Sequence, residues 1–268
     1  MSLLINVRKR QRARATKLDQ RRKFVASIRP TDVFLVTYPK SGTTWMAFLL
    51  ANIIYSKQYT EQNIILNLRT LPEIVPDINE LYSAGADLSK YAHLPNPRVF
   101  TVHARYDRAF PRVIYILRDP RSVMVSYWHH KRLVDPGFDL SLKDFIAKDD
   151  HWPTLWNKHV EEWLFRGHKN VMTVRYEEMD VNALEIARKV IEFIKLPSDE
   201  RTIKHAVEAA KFDNMKTLED KYGRRVQGAH EERFIRKGNT DSWREELDEE
   251  SLRILEQKYG AVMTKLGY

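Results

Sequence analysis

Val33-Phe34-Leu35-Val36-Thr37-Tyr38-Pro39-Lys40-Ser41-Gly42-Thr43-Thr44-Trp45 is the stretch that decides the fold. Its first five residues are apolar and rich in β-branched side chains, and they stop at Tyr38-Pro39, which is the pattern of a buried strand. A helix is expected directly afterwards, over 42–56, with Trp45, Leu49 and Ile53 on its apolar face. A strand that runs through a short loop into a helix makes an anion site, because the free backbone N–H groups and the helix dipole point at the same place. Gly42 allows close backbone approach, and Thr43 and Thr44 add hydroxyl donors. Loops that hold nucleoside triphosphates place a Lys directly after their second Gly. Here Lys40 stands two residues before Gly42, and no residue is an obvious Mg²⁺ ligand. The loop reads as a phosphate holder with a relocated lysine and no metal.

The flanking sequence alternates strands with helices. Arg98–Val102, Arg112–Leu117 and Val171–Arg175 are expected strands, and the unbroken apolarity of the second suggests burial on both faces. Helices are expected over 153–165, 182–195, 199–210 and 248–266, and another opens at Asp119-Pro120, with Pro at its first turn. This alternation predicts an α/β fold: a single domain with a central, mostly parallel sheet flanked by helices. Residues 70–97 and 133–156 read as irregular segments of the kind that cover a pocket, the second rich in aromatics (Phe138, Trp152, Trp156).

Composition narrows the function classes. The chain has 268 residues and no cysteine, which excludes a disulfide scaffold and a cysteine nucleophile and fits a reducing, cytoplasmic setting. Its formal charge is +9, but residues 8–23 hold nine basic residues and one acid, so the excess sits in an N-terminal arm. Residues 1–23 are therefore set apart as a basic arm or helix, with the domain over 24–268. A nucleic-acid-binding domain carries its charge on the folded face, so no nucleic-acid partner is expected. A non-catalytic nucleotide-fold protein that binds RNA or an anionic membrane through this arm, and an organelle-targeting segment, are the other readings of these residues. No stretch is long and apolar enough to predict a membrane span.

Two further basic clusters follow the loop. Arg118-Asp119-Pro120-Arg121 ends the third strand, with Ser126 eight residues after Arg118. Ligands of parallel sheets gather at the carboxyl ends of the strands, so Arg118 and Lys40 are expected to face one cleft and hold two separate phosphates. Arg236-Lys237-Gly238 alone is no more than a charged run. A small-molecule kinase using Mg·ATP shares such an anion loop, but it needs a metal-binding carboxylate, for which Asp119 is the neat candidate.

Taken together, these motifs resemble the cytosolic-type sulfotransferases. Tyr38 to Trp45 is similar to that family's loop for the 5′-phosphosulfate, Arg118 with Ser126 to its pair at the 3′-phosphate, and Arg236-Lys237-Gly238 to its C-terminal triplet. The resemblance implies a P-loop-like domain and the donor 3′-phosphoadenosine 5′-phosphosulfate (PAPS), leaving adenosine 3′,5′-bisphosphate (PAP), with no metal. It implies transfer of a sulfuryl group to a hydroxyl or amine of a small-molecule acceptor, with His103 as general base. Lys40 would assist the leaving phosphate, and Ser126 would hold Lys40 back until an acceptor is bound. Donor contacts fall on Lys40, Ser41, Gly42, Thr43, Thr44, Trp45, Arg118, Ser126, Tyr176, Phe212, Arg236, Lys237 and Gly238, with Trp45, Tyr176 and Phe212 at the adenine. The acceptor pocket would draw on Phe138, Asp150 and Trp152. Asp150 stands where amine-preferring members carry an acid, so a cationic acceptor is one expectation.

The chain also departs from the family pattern. The Lys and Thr of a Lys-Thr-His motif are replaced by Thr101 and Val102, so a cation near the sulfuryl group is missing. The polar pair before the adenine Phe reads Ala210-Lys211, and the Gly-Asp-Trp-Lys segment reads Asp241-Ser242-Trp243-Arg244. The K-x-x-x-T-V-x-x-x-E dimer motif is absent, which implies a monomer or a different dimer.

Overall fold

A computed structural model describes residues 15–62, 65–179, 181–223 and 241–268. Arg236, Lys237 and Gly238 lie outside the described residues, as do residues 1–14 of the basic arm. Four parallel strands, β1 (Val33–Thr37), β2 (Val99–Val102), β3 (Val113–Leu117) and β4 (Val171–Arg175), form one sheet in the order β2-β1-β3-β4. The order reverses at β1, whose neighbours lie on opposite sides. Its carboxyl end is therefore the topological switch point, where a crevice opens.

The helices are α1 (residues 15–26), α2 (Thr43–Gln62), α3 (Leu71–Ile74), α4 (Asn79–Ala84), α5 (Pro120–Val134), α6 (Leu142–Ala147), α7 (Trp156–Leu164), α8 (Ala183–Ile194), α9 (Glu200–Ala209), α10 (Phe212–Tyr222) and α11 (Glu249–Leu266). Successive side chains of a strand point to opposite faces, and the two cores follow that rule. Val33, Leu35, Ile114 and Ile116 pack with α2, α8 and α9, whereas Phe34, Val36, Val113 and Tyr115 pack with α5, α7 and α11. Both faces are covered, which explains the continuous apolar runs of β1 and β3, buried at every position.

The expected helices are present with ends shifted by a few residues. α3, α4 and α6 fall inside the segments expected to be irregular, and α10 starts at Phe212, where no helix was expected. α1 runs across residue 23 and docks through Phe24, which is fully buried, while Arg21 pairs with Asp107.

Candidate active site

The loop at the end of β1 is bent by two residues in the left-handed region, Lys40 (φ 70°) and Gly42 (φ 104°). Only glycine takes the second position at no cost. A Cβ on Gly42 would lie 2.5 Å from Cδ2 of Tyr176, so glycine is required by space as well as by angle. The strained Lys40 is held from outside, because Arg118 Nη1 donates to its carbonyl at 2.8 Å. The Arg118 guanidinium also lies 4.0 Å over the Tyr176 ring. Arg118, Tyr176 and the loop thus form one packed unit at the ends of β1, β3 and β4. Arg118 is buried, and its Nε has no hydrogen-bond partner among the described residues. The Ser41 hydroxyl is likewise buried without one. A buried donor without an acceptor costs on the order of 1–3 kcal/mol, and an anion in the crevice would supply the acceptor that Arg118 lacks. The first turn of α2 carries no acidic side chain, so its N–H groups meet no competing charge.

His103 follows β2. Its Nδ1 lies 2.8 Å from the Thr37 carbonyl, which can only accept, so Nδ1 carries the proton and Nε2 keeps its lone pair. The Thr37 hydroxyl lies 3.0 Å from the same Nδ1 and 2.6 Å from the Thr43 hydroxyl, joining the imidazole to the first turn of α2. The His103 backbone N–H donates to Asn79 Oδ1 at 2.8 Å. Burial lowers the imidazole pKa below its ordinary value. The Thr37 hydrogen bond and the charge of Asp77 oppose that shift, and the charge of Lys40 reinforces it. The ring is therefore neutral near pH 7. Trp152 meets it edge-on, with ring centroids 5.7 Å apart.

Lys40, Gly42, Thr43, Thr44, Trp45, His103, Arg118, Ser126, Trp152, Tyr176 and Phe212 line one cavity of about 590 Å³. Ser41 belongs to the loop but lies behind this lining. Phe138 packs against Phe145, and Asp150 faces Lys148 at 3.5 Å; neither lines the cavity. Of the three residues expected at the acceptor pocket, Trp152 is the one that lines the cavity. Thr37, Asp77, Asn79 and Thr101 were not among the expected site residues. Thr37 carried a signal, as the one polar residue ending an apolar strand. Asp77 and Asn79 carried none, because their placement depends on pairing with β2. Asp119, the carboxylate a metal-dependent kinase would need, caps α5 by accepting from the Arg121 N–H and pairs with the Arg121 guanidinium at 2.6 Å. Among the described residues, no group of three or more His, Asp or Glu is placed to hold a metal ion.

Comparison with known proteins identifies the family. Bos taurus sulfotransferase 1A1 is 29% identical over 256 residues, covering 87% of this chain and 84% of the relative. Photinus pyralis luciferin sulfotransferase is 27% identical over 260 residues, covering 83% and 69%. The crystal structure of a mouse sulfotransferase complexed with PAP shares the fold, with a TM-score of 0.66 and 22% identity over 90% of this chain and 89% of that one. The family model described as "Sulfotransferase domain" matches residues 30–267, nearly the whole chain, and the protein belongs to the sulfotransferase family.

Proposed function

We propose that this sulfotransferase moves a sulfuryl group from PAPS to a hydroxyl or amine of a small molecule, with His103 as general base. The observation that carries the reading is the shared cavity: an imidazole fixed as the Nδ1–H tautomer stands beside a loop shaped for an anion. The orphaned Arg118 Nε and the glycine cradle under Tyr176 fit a nucleotide phosphate. The family relatives and the PAP-bound fold neighbour point to the same donor.

Residues 40–44 would hold the 5′ end of the nucleotide through loop N–H groups and the hydroxyls of Thr43 and Thr44. Arg118 and Ser126 would hold the 3′-phosphate, with Arg236, Lys237 and Gly238 assigned there by resemblance. Trp45, Tyr176 and Phe212 line the cavity with rings suited to an adenine. When bound, PAPS supplies an electrophilic sulfuryl group on a phosphate leaving group. His103 Nε2 takes the acceptor's proton, which suits an imidazole that is neutral at pH 7. The Lys40 ammonium stabilises negative charge growing at the phosphate end.

A sulfur-labelled donor, incubated with phenols, aliphatic alcohols and amines, tests the reading. Label is expected in an acceptor with the wild-type chain and not with His103→Ala. Failure to label any of the three classes overturns it.

A further inference from the structure

The cavity wall beside His103 carries a carboxylate that the mechanism does not use. Asp77 pairs with Thr101 in a single parallel bridge at the free edge of β2, fixed by the Ile78 N–H to the Thr101 carbonyl and the Thr101 N–H to the Pro76 carbonyl. Paired residues share a sheet face, and so do residues two apart on one strand. Asp77, Thr101 and His103 therefore present one face, and all three line the cavity. Strand rise and spacing put the Asp77 and His103 α-carbons about 8 Å apart. Asp77 is the sole carboxylate among the described lining residues, whose cations are Lys40, Arg118 and Lys131, with His130 also on the wall. Its acceptors are oriented by neutral donors. Oδ1 accepts the Asn79 backbone N–H and Nδ2 at 2.8 Å each, and Oδ2 accepts Nδ2 at 3.0 Å. Among the described residues it forms no ion pair, and Oδ2 retains acceptor capacity. Across the bridge stands the neutral Thr101, where the family pattern has a cation.

We infer that Asp77 selects an acceptor bearing a cationic group, such as an ammonium, at the far end of its carbon frame from the hydroxyl that meets His103. This rests on the sulfuryl-transfer reading above and replaces Asp150 with a carboxylate inside the cavity. The apolar wall of Leu68, Leu71, Val75 and Trp152 takes the acceptor's carbon frame, and the carboxylate anchors its charge while rejecting anionic analogues.

The test measures binding of tyramine and of 4-ethylphenol, its neutral counterpart, to the PAP-loaded full chain by calorimetry, and the kcat/KM ratio for the same pair. The wild type is expected to favour tyramine by roughly tenfold or more. Asp77→Asn, which keeps one acceptor oxygen for Asn79, is expected to bring the ratio close to one. A wild-type ratio near one overturns the inference. So does a ratio unchanged in Asp77→Asn, including equal losses for both acceptors, which would show that Asp77 only positions Asn79 and His103. If PAP binds and the ratio fails, the inference alone falls; if PAP does not bind, the sulfuryl-transfer reading falls first and takes the inference with it.

Discussion

At the scale of single residues, His103 and Gly42 carry the sharpest expectations. Replacing His103 by Ala is expected to lower kcat by about 10²–10⁴-fold while leaving PAP affinity unchanged by calorimetry. A matching loss of PAP affinity would count against its role as base. The wild-type pH profile follows from the burial of the imidazole, which holds its pKa below 6.5. Protonation removes the base, so kcat/KM is expected to fall as pH drops below 6.5 and to stay level above it; an acid limb centred above pH 7 contradicts this. Gly42→Ala places a methyl group against the Tyr176 ring and in a left-handed backbone, at a cost of about 1–3 kcal/mol. A lowered melting temperature together with weakened PAP binding is the expected result. The loop after β1, Arg118 and Ser126 could be placed from sequence because the first two lie at strand ends and Ser126 lies in the helix that follows, so their spacing is local. Asp77, Asn79 and Thr37 owe their roles to contacts made across the sheet, and those depend on register.

At the scale of elements, the sheet is clamped at one end and opens onto the cavity at the other. Asp32 precedes β1, Arg98 precedes β2, and both are buried. Arg98 Nε donates to Asp32 Oδ1 at 2.9 Å, and its Nη2 donates to Oδ2 and to the Ser27 carbonyl. Arg98→Met leaves a buried carboxylate without its partner, which is expected to cost about 3–5 kcal/mol in urea unfolding. The folded fraction should still bind PAP, because the crevice lies at the carboxyl end of the strands. A loss below about 1 kcal/mol would mean that the pair is not a clamp. The four strands and the long helices were readable because burial on both faces writes unbroken apolar runs and helical spacing into the chain. The short α3, α4 and α6 escaped because four to six residues show too little periodicity, and Pro72, Pro76 and Gly85 further punctuate the segment that holds α3 and α4. α10 opens with Phe212, which the family resemblance assigned to the adenine; the two roles are compatible, since its ring lines the cavity from the first turn of the helix.

At the scale of the whole molecule, one crevice gathers residues from β2, α2, α3, α5 and α10 and from the segments that directly follow β1, β2, β3 and β4. A ligand bridging them is expected to stabilise the entire fold, by about 4 kcal/mol at a thousandfold excess over its Kd. Among the described residues, no helix is long and apolar enough to cross a membrane. The most direct test of the central claim is isothermal titration of the full chain with PAP and, separately, with Mg·ATP. One site that binds PAP is expected, with affinity lowered by roughly 10–100-fold in Arg118→Ala, and much weaker uptake of Mg·ATP, which offers no 3′-phosphate. Tight binding of Mg·ATP with no response to PAP would contradict it.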